Sequence, residues 1–432
     1  MRRLARLASS GLLAAAAAIG CGAREEATAI DFWALGREGE VVQRLMPEFE
    51  RRSPGLRVRV QQIPWSAAHE KLLTAYAGDA LPDLLQLGTT WIPEFVALRA
   101  VAPVGERMSA STSIAPDDYF PGVLEMSEVD GILYGVPWYV DTRVLFYRSD
   151  LLARAGFQEP PRTWSAWLEA MIRLEAVVGA DHYAILLSPD TWEPQVILAL
   201  QLGAALLRDG DRRGDFQSPR FREAFRWYLD LFERGLAPRG SEGRVGNVYR
   251  DFAAGHFAML VSGPWDLGEL ARRLPAELDS AWATAPLPAP RENGPGASLA
   301  GGASLALTRT SPRQAEAWKL VEYLSEPEQQ VALHRLCGDL PARRAAWRLS
   351  GLVSDPRARA FWVQLGALAA TPRIPEWERI ASRIAHYSEE AVRGHLAPEA
   401  ALAALDHDVD AILEKRRWLL GGRRAGAAEA KR

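Results

Sequence analysis

The segment between residues 29 and 97 alternates strand-like and helix-like patterns, and this alternation constrains the fold more than any other feature of the chain. Strand patterns cover residues 29–35, 56–61 and 83–87, and apolar residues at helical spacing lie between them at 41–49 and 66–76. A β-α-β-α-β series predicts a parallel sheet with helices on both faces. Ligands of such sheets bind beyond the carboxyl ends of the strands. The loops at those ends are 36–40, 63–66 and 88–91.

A second block of strands and helices begins near residue 142. Strand patterns recur at 144–147, 183–187 and 257–261, and residues 356–420 are mostly helical in pattern. The chain has 432 residues, which is too long for one compact core and fits two domains of ordinary size. We therefore expect an α/β protein with two lobes.

Charge and motif content narrow the function. The formal net charge is −3, so nothing in the composition attracts nucleic acid. The chain has no Gly-x-Ser-x-Gly elbow, no Walker-type phosphate loop and no histidine pair at metal-ligand spacing. These features favour a binding protein without cofactor or metal over an enzyme. A pair of acids for glycoside hydrolysis stays open, so an exported sugar-processing enzyme is the second hypothesis.

The N-terminus has the pattern of an export signal. Three arginines within residues 1–6 precede a short apolar stretch that ends at Gly20 and Cys21. The Ala18-Ile19-Gly20-Cys21 run resembles a bacterial lipobox, although Ile19 stands where a small residue is usual. We expect residues 1–21 to be a signal peptide, Cys21 to be lipidated, 22–28 to be a tether and 421–432 to be a disordered tail. The alternative at Cys21 is an ordinary cleaved signal with a chance cysteine.

Several motifs follow in a characteristic order. They are Gly131-Ile132-Leu133-Tyr134-Gly135-Val136-Pro137, Asp251-Phe252-Ala253-Ala254-Gly255 with Gly263-Pro264-Trp265, Gly301-Gly302, Ala315 to Leu324 with Glu328-Gln329, and Gly338-Asp339-Leu340-Pro341-Ala342-Arg343-Arg344. Through them the chain from about Ala29 to Leu420 resembles the extracellular solute-binding proteins of ABC importers, in their large, maltose-binding-protein-like sugar-binding class.

The resemblance implies a type II periplasmic-binding-protein fold, with two lobes, each a mainly parallel sheet flanked by helices, and a hinge crossed more than once. It places residues 29–140 and about 285–340 in the first lobe, and 141–284 and about 341–420 in the second. It also implies an exported monomer in the periplasm or at the outer face of the cytoplasmic membrane. Its partners would be a sugar and the ABC permease subunits, not nucleic acid.

The resemblance also assigns ligand-binding residues. Trp265 matches a sugar-stacking tryptophan, Glu193 and Asp141 match binding carboxylates, and Arg343 resembles a polar contact. A sugar needs aromatic surface for its C–H faces and charged groups for its hydroxyls, which this mixture supplies. The structural alternatives are a core tryptophan, a glutamate suited to a helix N-terminus, a hinge aspartate and an exposed arginine.

Other candidates follow from their positions on loops and at strand ends. They are Trp192, Asp266, Trp33, Arg37, Glu38, Trp65, Trp91, Trp138, Gly301 and Gly302. Each tryptophan either lines the cleft or packs inside a lobe, Trp138 together with Tyr139 at the hinge. Asp266 is either a ligand acceptor or a helix N-cap. The two glycines either let the backbone approach a ligand or form a tight turn.

The chemical class of the ligand has open alternatives. A phosphate ligand such as glycerol phosphate would use arginines, of which Arg37, Arg143 and Arg343 are available. A polyamine would use carboxylates beside aromatic walls, which the candidate acids also allow. The 15 tryptophans favour a sugar.

Overall fold

The computed structural model describes residues 27–179, 182–240 and 247–420. The predicted signal peptide with Cys21, most of the 22–28 tether and the 421–432 tail lie outside the described residues. Within them, no helix is both long and apolar enough to cross a bilayer.

The strands alternate with helices along most of the described chain. The strands are β1 (Thr28–Leu35), β2 (Leu56–Ile63), β3 (Leu84–Gly88), β4 (Glu128–Val129), β5 (Ile132–Leu133), β6 (Val136–Asp141), β7 (Val144–Arg148), β8 (Tyr183–Leu186), β9 (Leu207–Arg208), β10 (Arg213–Gly214), β11 (Phe257–Ser262), β12 (Trp282–Ala285), β13 (Ser298–Leu299), β14 (Gly301–Leu307), β15 (Leu340–Pro341) and β16 (Leu368–Ala369). β3 is buried along its whole length, Gln86 included, as the sequence predicts for a short buried strand.

Helices lie throughout the described residues, and those that follow β1, β2 and β3 are where the sequence predicts them. They are α1 (Gly36–Val41), α2 (Met46–Arg52), α3 (Trp65–Ala77), α4 (Ile92–Ala97), α5 (Gly105–Ala110), α6 (Pro121–Glu125), α7 (Ser149–Arg154), α8 (Trp164–Val178), α9 (Glu193–Gln201), α10 (Pro219–Glu233), α11 (Val248–Ala254), α12 (Trp265–Arg273), α13 (Gln314–Leu324), α14 (Pro327–Cys337), α15 (Arg344–Ser350), α16 (Ala358–Gln364), α17 (Trp377–Val392) and α18 (Pro398–Ile412). The Thr163 side chain accepts a hydrogen bond from the amide of Ala166 and so caps α8.

The first lobe is built on a six-stranded sheet in the order β15-β6-β14-β3-β1-β2. β1 pairs in parallel with β2 and β3, whereas β14 runs antiparallel to both β3 and β6, and β15 runs antiparallel to β6. The carboxyl ends of β1, β3 and β6 therefore meet the amino ends of β14 and β15 at one edge. That edge faces the second lobe.

The second lobe is built on a four-stranded sheet in the order β12-β7-β11-β8. β11 is parallel to β8 and antiparallel to β7. Both sheets are thus mixed, and the parallel pairs expected from the sequence are joined by antiparallel ones. The reason is that β7 and β14 begin where the chain arrives from the opposite lobe.

The chain crosses between the lobes at three places within the described residues. It passes from β6 to β7 through Thr142 and Arg143, from β12 to β14 through β13, and from α15 to α16. The two-lobed α/β fold and the repeated hinge crossing are confirmed. The hydroxyl of Thr142 donates to the carbonyl of Leu299 at 2.8 Å, so the first two crossings are bonded to each other.

The third crossing lies later than the sequence indicates. β15 extends the first sheet, and Trp347 of α15 packs edge-on against Phe120 in the first lobe. The chain enters the second lobe only after Ser350, not near residue 340. Helices α17 and α18 then pack together against the apolar core of the second lobe, as expected for the C-terminal helices.

Candidate ligand-binding cleft

A cavity of about 490 Å³ lies between the two lobes, at the edge where the strands of both sheets end. Most of the residues predicted from the sequence line it. They are Arg37, Glu38, Trp65, Trp91, Asp141, Trp192, Glu193, Trp265, Gly301 and Gly302. The structure brings these residues together because each of them lies at or just beyond the end of a strand at this edge, or at the start of a helix there.

Two tryptophans form the aromatic wall of the first lobe. Trp65, at the start of α3, and Trp91 pack edge to face with their ring centroids 5.5 Å apart. Trp91 is nearly buried, while Trp65 keeps 38% of its surface exposed. The Trp65 ring lies against Gly36, whose φ of +51° and lack of a Cβ leave room for it. A side chain at position 36 would displace the ring.

A buried and a half-buried acid form the floor of the first-lobe side. Glu38 is almost fully buried, and Asp339, which precedes β15, lines the same cavity. The thiol of Cys337 donates to Asp339 Oδ2 at 3.1 Å. Burial raises the pKa of Glu38, and burial together with the nearby Glu38 charge raises the pKa of Asp339. The two carboxyls therefore hold on to protons more strongly than solvent-exposed ones.

Tyr139 lies beside these acids. Its hydroxyl accepts a hydrogen bond from Gln86 Nε2 at 3.2 Å, and Gln86 in turn accepts one from the amide of Leu35 at 2.7 Å. Burial, followed by the Glu38 charge, raises the pKa of Tyr139 well above its usual range. Its phenol therefore stays neutral and keeps a proton to donate, with Glu38 as the neighbouring acceptor.

The second lobe supplies the opposite wall. Trp265 begins α12 directly after the Gly263-Pro264 turn, and 40% of its surface is exposed. Its ring folds back over Gly263, where a Cβ would collide with it. Trp192 also lines the cavity and packs edge-on against Trp377 of α17, with centroids 5.3 Å apart. Aromatic surface thus borders the cavity on both lobes.

Asp266 faces an adjoining cavity of about 480 Å³ in the second lobe. Its carboxylate accepts hydrogen bonds from the hydroxyls of Tyr249, at 2.9 Å, and Ser262, at 2.5 Å. Burial raises its pKa, although both hydroxyls oppose the shift. Asp266 is not the N-cap of α12, because Pro264 precedes the helix in that position. Its polar partners are within its own lobe.

Arg143 stands at the junction of both lobes and both cavities. Its Nη1 donates to Asp141 Oδ1 at 2.8 Å and its Nη2 to Glu193 Oε1 at 3.2 Å. Its guanidinium carbon lies 4.7 Å from the centroid of the Trp265 ring. The Ser262–Val144 pairing of β11 with β7 puts the residue before Val144 next to the turn that carries Trp265.

The two candidate glycines are strand residues and do not form a turn. Gly301 pairs with Asp141 and Gly302 with Val140. A Cβ at position 301 would collide with the Asp141 carboxyl, and one at 302 would collide with the carbonyl of Tyr139. The glycines therefore make room for Asp141 and for the neighbouring strand, and they also border the cavity.

Three predicted residues lie away from both cavities. Trp138 is fully buried and packs edge-on against Phe32, because side chains alternate along β6 and its neighbour Tyr139 takes the cleft side. Trp33 packs in the first lobe under the ammonium of Lys71. Arg343 is buried and ion-paired to Asp118 at 2.9 Å, so it ties α15 to the first lobe. The structure corrects the predicted cleft position of these three.

Sequence reasoning missed Asp339 and Cys337, and it considered Arg143 only as a phosphate donor. Asp339 lies within the Gly338–Arg344 motif, which indicated the family and not a contact. Its position depends on the antiparallel pairing of Leu340 with Val140, which brings it beside Asp141. No local pattern in the sequence gives that pairing.

The cavity between the lobes combines an excess of acids with aromatic surface. Five acidic side chains and two guanidinium groups line it, and they are Glu38, Asp141, Glu193, Glu269 and Asp339 against Arg37 and Arg143. Such a site can accept hydrogen bonds from several hydroxyls while aromatic rings cover an apolar face. It is poorly suited to a phosphate or another anion.

Known proteins share this architecture. The sequence profile of bacterial extracellular solute-binding proteins matches residues 33–331. The sugar-binding protein MalE from Xanthomonas citri is 47% identical, with a TM-score of 0.87 over 91% of this chain and 99% of that one. The diacetylchitobiose-binding protein DasA of Streptomyces coelicolor is 24% identical over 83% of each chain. The sn-glycerol-3-phosphate-binding protein UgpB of Brucella abortus is 26% identical over 79% of this chain and 81% of that one.

Proposed function

This chain belongs to the family of bacterial extracellular solute-binding proteins, and we propose that it captures a sugar or oligosaccharide in the cleft between its lobes. The resemblance drawn from the sequence is confirmed by this membership. The chain is a substrate-binding protein of the ABC-importer type and not an enzyme. The assignment of a saccharide as the ligand is argued from the residues that line the cleft.

The observation that carries the proposal is the pairing of exposed tryptophans with acids across the cleft. Trp65 and Trp265 border one cavity from opposite lobes, with Glu38, Asp141, Glu193 and Asp339 around it. Rings of a saccharide present apolar C–H faces and hydroxyl edges, and these two kinds of surface are matched by tryptophan and carboxylate. The names of MalE and DasA, which bind sugars, support the same ligand class.

Glycerol phosphate is the alternative ligand, because the relative UgpB is named as a protein that binds sn-glycerol 3-phosphate. A phosphate carries up to two negative charges and is held by arginines or helix N-termini in most sites. Here Arg143 is already paired with two carboxylates, and Arg37 is largely exposed at the rim, where it pairs with Glu40 at 3.9 Å. Neither of the two arginines that line the cavity is therefore free inside it to hold a phosphate, which disfavours glycerol phosphate.

A thermal-shift screen followed by calorimetry tests the proposal. The panel contains maltose, trehalose, N,N′-diacetylchitobiose and sn-glycerol 3-phosphate. A ligand that binds only the native state raises the melting temperature, and we expect at least one saccharide and not glycerol 3-phosphate to do so. A shift with glycerol 3-phosphate alone would contradict the proposal. Chromatography of the incubated saccharides should show no new reducing ends.

Export, anchoring and partners extend the proposal. The family is extracellular, so the protein is exported. We propose that the lipobox-like Ala18-Ile19-Gly20-Cys21 run leads to lipidation of Cys21, and that the anchored monomer presents its closed form to ABC permease subunits. Mass spectrometry of the mature N-terminus tests the lipid. A Cys21→Ser variant is expected to leave the membrane fraction if the anchor exists.

A further inference from the structure

We infer that Arg143 sets the charge selectivity of the cleft, because its guanidinium fills the place that a ligand cation would otherwise take. The inference rests on the proposed function and narrows it to ligands that are uncharged at this point of the cleft. It concerns a residue that no sequence motif of the chain marks as a ligand contact.

The surroundings of Arg143 are those of a cation site. Two carboxylates from different lobes, Asp141 and Glu193, accept hydrogen bonds from it at 2.8 and 3.2 Å. The face of the Trp265 ring lies 4.7 Å from its guanidinium carbon. Acids beside an aromatic face are the arrangement that recognises ammonium ligands in other proteins. In this chain the cation comes from the protein itself.

Ser298 fixes the backbone from which the Arg143 side chain extends. The amide of Arg143 donates to the hydroxyl of Ser298 at 3.1 Å, and that hydroxyl donates to the Arg143 carbonyl at 2.8 Å. Only 19% of the side chain is exposed. Gly301 leaves the space that Asp141 needs to reach the guanidinium. A ligand cation would have to displace an internal group that is bound on three sides.

The carboxylates and the guanidinium can then contact different atoms of a ligand. Arg143 offsets one of the two negative charges of Asp141 and Glu193 and occupies the space between them, so these carboxylates offer their remaining lone pairs to hydroxyls and leave no place for an amine. The guanidinium has five N–H donors, and those not bonded to the two carboxylates can bond hydroxyl oxygens. A polyhydroxylated, uncharged ligand fits this arrangement, whereas a polyamine meets a like charge beside Trp265.

The experiment compares the binding of spermidine with that of the saccharide panel in four forms of the full chain. The forms are the wild type, Arg143→Gln, Arg143→Lys and Arg226→Gln, an exposed arginine remote from the cleft that pairs with Glu399. Calorimetry at low ionic strength gives the dissociation constants. Circular dichroism and the melting temperature establish that each variant is folded.

We expect the wild type to bind a saccharide and to show no heat with spermidine. Arg143→Gln should bind spermidine at least about tenfold more tightly than the wild type, because the two carboxylates and the ring are then free for an amine. Arg143→Lys keeps the charge and should not gain spermidine binding, and Arg226→Gln should match the wild type.

Two results would overturn the inference. One is measurable spermidine binding in the cleft of the wild type, a result that does not depend on the folding of any variant. The other is a folded Arg143→Gln that gains no spermidine affinity. Wild-type protein that binds none of the saccharides contradicts the proposed function instead, so the two failures are distinguishable.

Discussion

Trp65 and Trp265 face one cavity from opposite lobes, each with about two-fifths of its surface exposed. Trp65 belongs to the helix that follows β2, and Trp265 to the helix that follows β11. A ligand that contacts both rings bridges the two lobes. We therefore expect binding to favour a closed form in which both lobes contact the ligand.

Replacing either ring is expected to weaken saccharide binding. Trp65→Ala and Trp265→Ala each remove an apolar surface that a sugar ring would cover, a loss of about 1.5–3 kcal/mol if the ring is buried by the ligand. Calorimetric titration with the saccharide found in the screen measures the effect. Trp418→Ala is the control, because Trp418 is 76% exposed and lines neither of the two cavities. Unchanged affinity in both cleft variants would contradict the role of the rings.

The architecture was predictable from local patterns because parallel strands and their helices are close in sequence. The β-α-β-α-β series gave the loops after β1, β2 and β3, and Glu38, Trp65 and Trp91 in those loops do line the cleft. The alternation of apolar and polar positions does not say which face of β6 is inward. Hence Trp138 and Tyr139 were equivalent in the sequence, and only the packing of Trp138 on Phe32 separates them.

Residues brought in by non-local antiparallel pairing were not predictable. Asp339 reaches the cleft because β15 pairs with β6, a strand that lies far away in sequence. Arg143 reaches Trp265 because β7 pairs with β11. The buried position of Arg343 was not predictable for the same reason. Its ion pair with Asp118 joins two segments that are far apart in the sequence. Tertiary pairing, not propensity, determines these positions.

Asp339 gives the chain a specific dependence of stability on pH. Burial and the Glu38 charge raise the pKa of Asp339 to about 8, whereas an aspartate of an unfolded chain titrates near about 3.9. Between these values the native state binds the proton that the unfolded state has released, so this group lowers stability progressively as the pH rises from about 4 to 8. Asp339→Asn stays neutral and keeps an acceptor for the Cys337 thiol.

We therefore expect Asp339→Asn to raise the melting temperature at pH 8 and to leave it nearly unchanged at pH 4. Asp117→Asn replaces an exposed aspartate of the same lobe and serves as the control. Melting curves across the pH range, recorded without ligand, measure the difference. A variant that shifts the melting temperature equally at both pH values would show that Asp339 does not titrate in this window.

His69 gives a dependence of the opposite sign. Its Nε2 lies 2.7 Å from Glu94 Oε2, and this hydrogen bond raises the pKa of His69, with smaller contributions from the charges of Glu94 and of Glu378 on α17. The stabilisation is fully present below the ordinary histidine pKa of about 6.5 and is lost as the pH rises through the higher folded value. Because the imidazole also packs against Trp91, the pair supports the aromatic wall.

His69→Gln is expected to lower the melting temperature more at pH 6 than at pH 9. His407→Gln, at an exposed position of α18, is the matched control and should show no such difference. Scanning calorimetry in buffers of equal ionic strength measures both variants. If the losses at pH 6 and pH 9 are the same, the effect of His69 is packing on Trp91 and not charge.

Gly302 provides a test of how the strands are held at the cleft. Its φ is +120°, a conformation that other residues adopt only at a cost of about 1–3 kcal/mol, and a Cβ there would also collide with the carbonyl of Tyr139. Gly294 has a φ of +100° with nothing within 4 Å of an added Cβ. Gly302→Ala should therefore reduce the free energy of unfolding more than Gly294→Ala does, in urea titrations of both variants.

The carbonyl of Tyr139 cannot retreat without disturbing the β6–β14 pairing that positions Asp141, so saccharide affinity should fall in Gly302→Ala and stay unchanged in Gly294→Ala. Equal losses of stability in the two variants would mean that backbone strain alone, and not the contact with β6, requires a glycine at position 302.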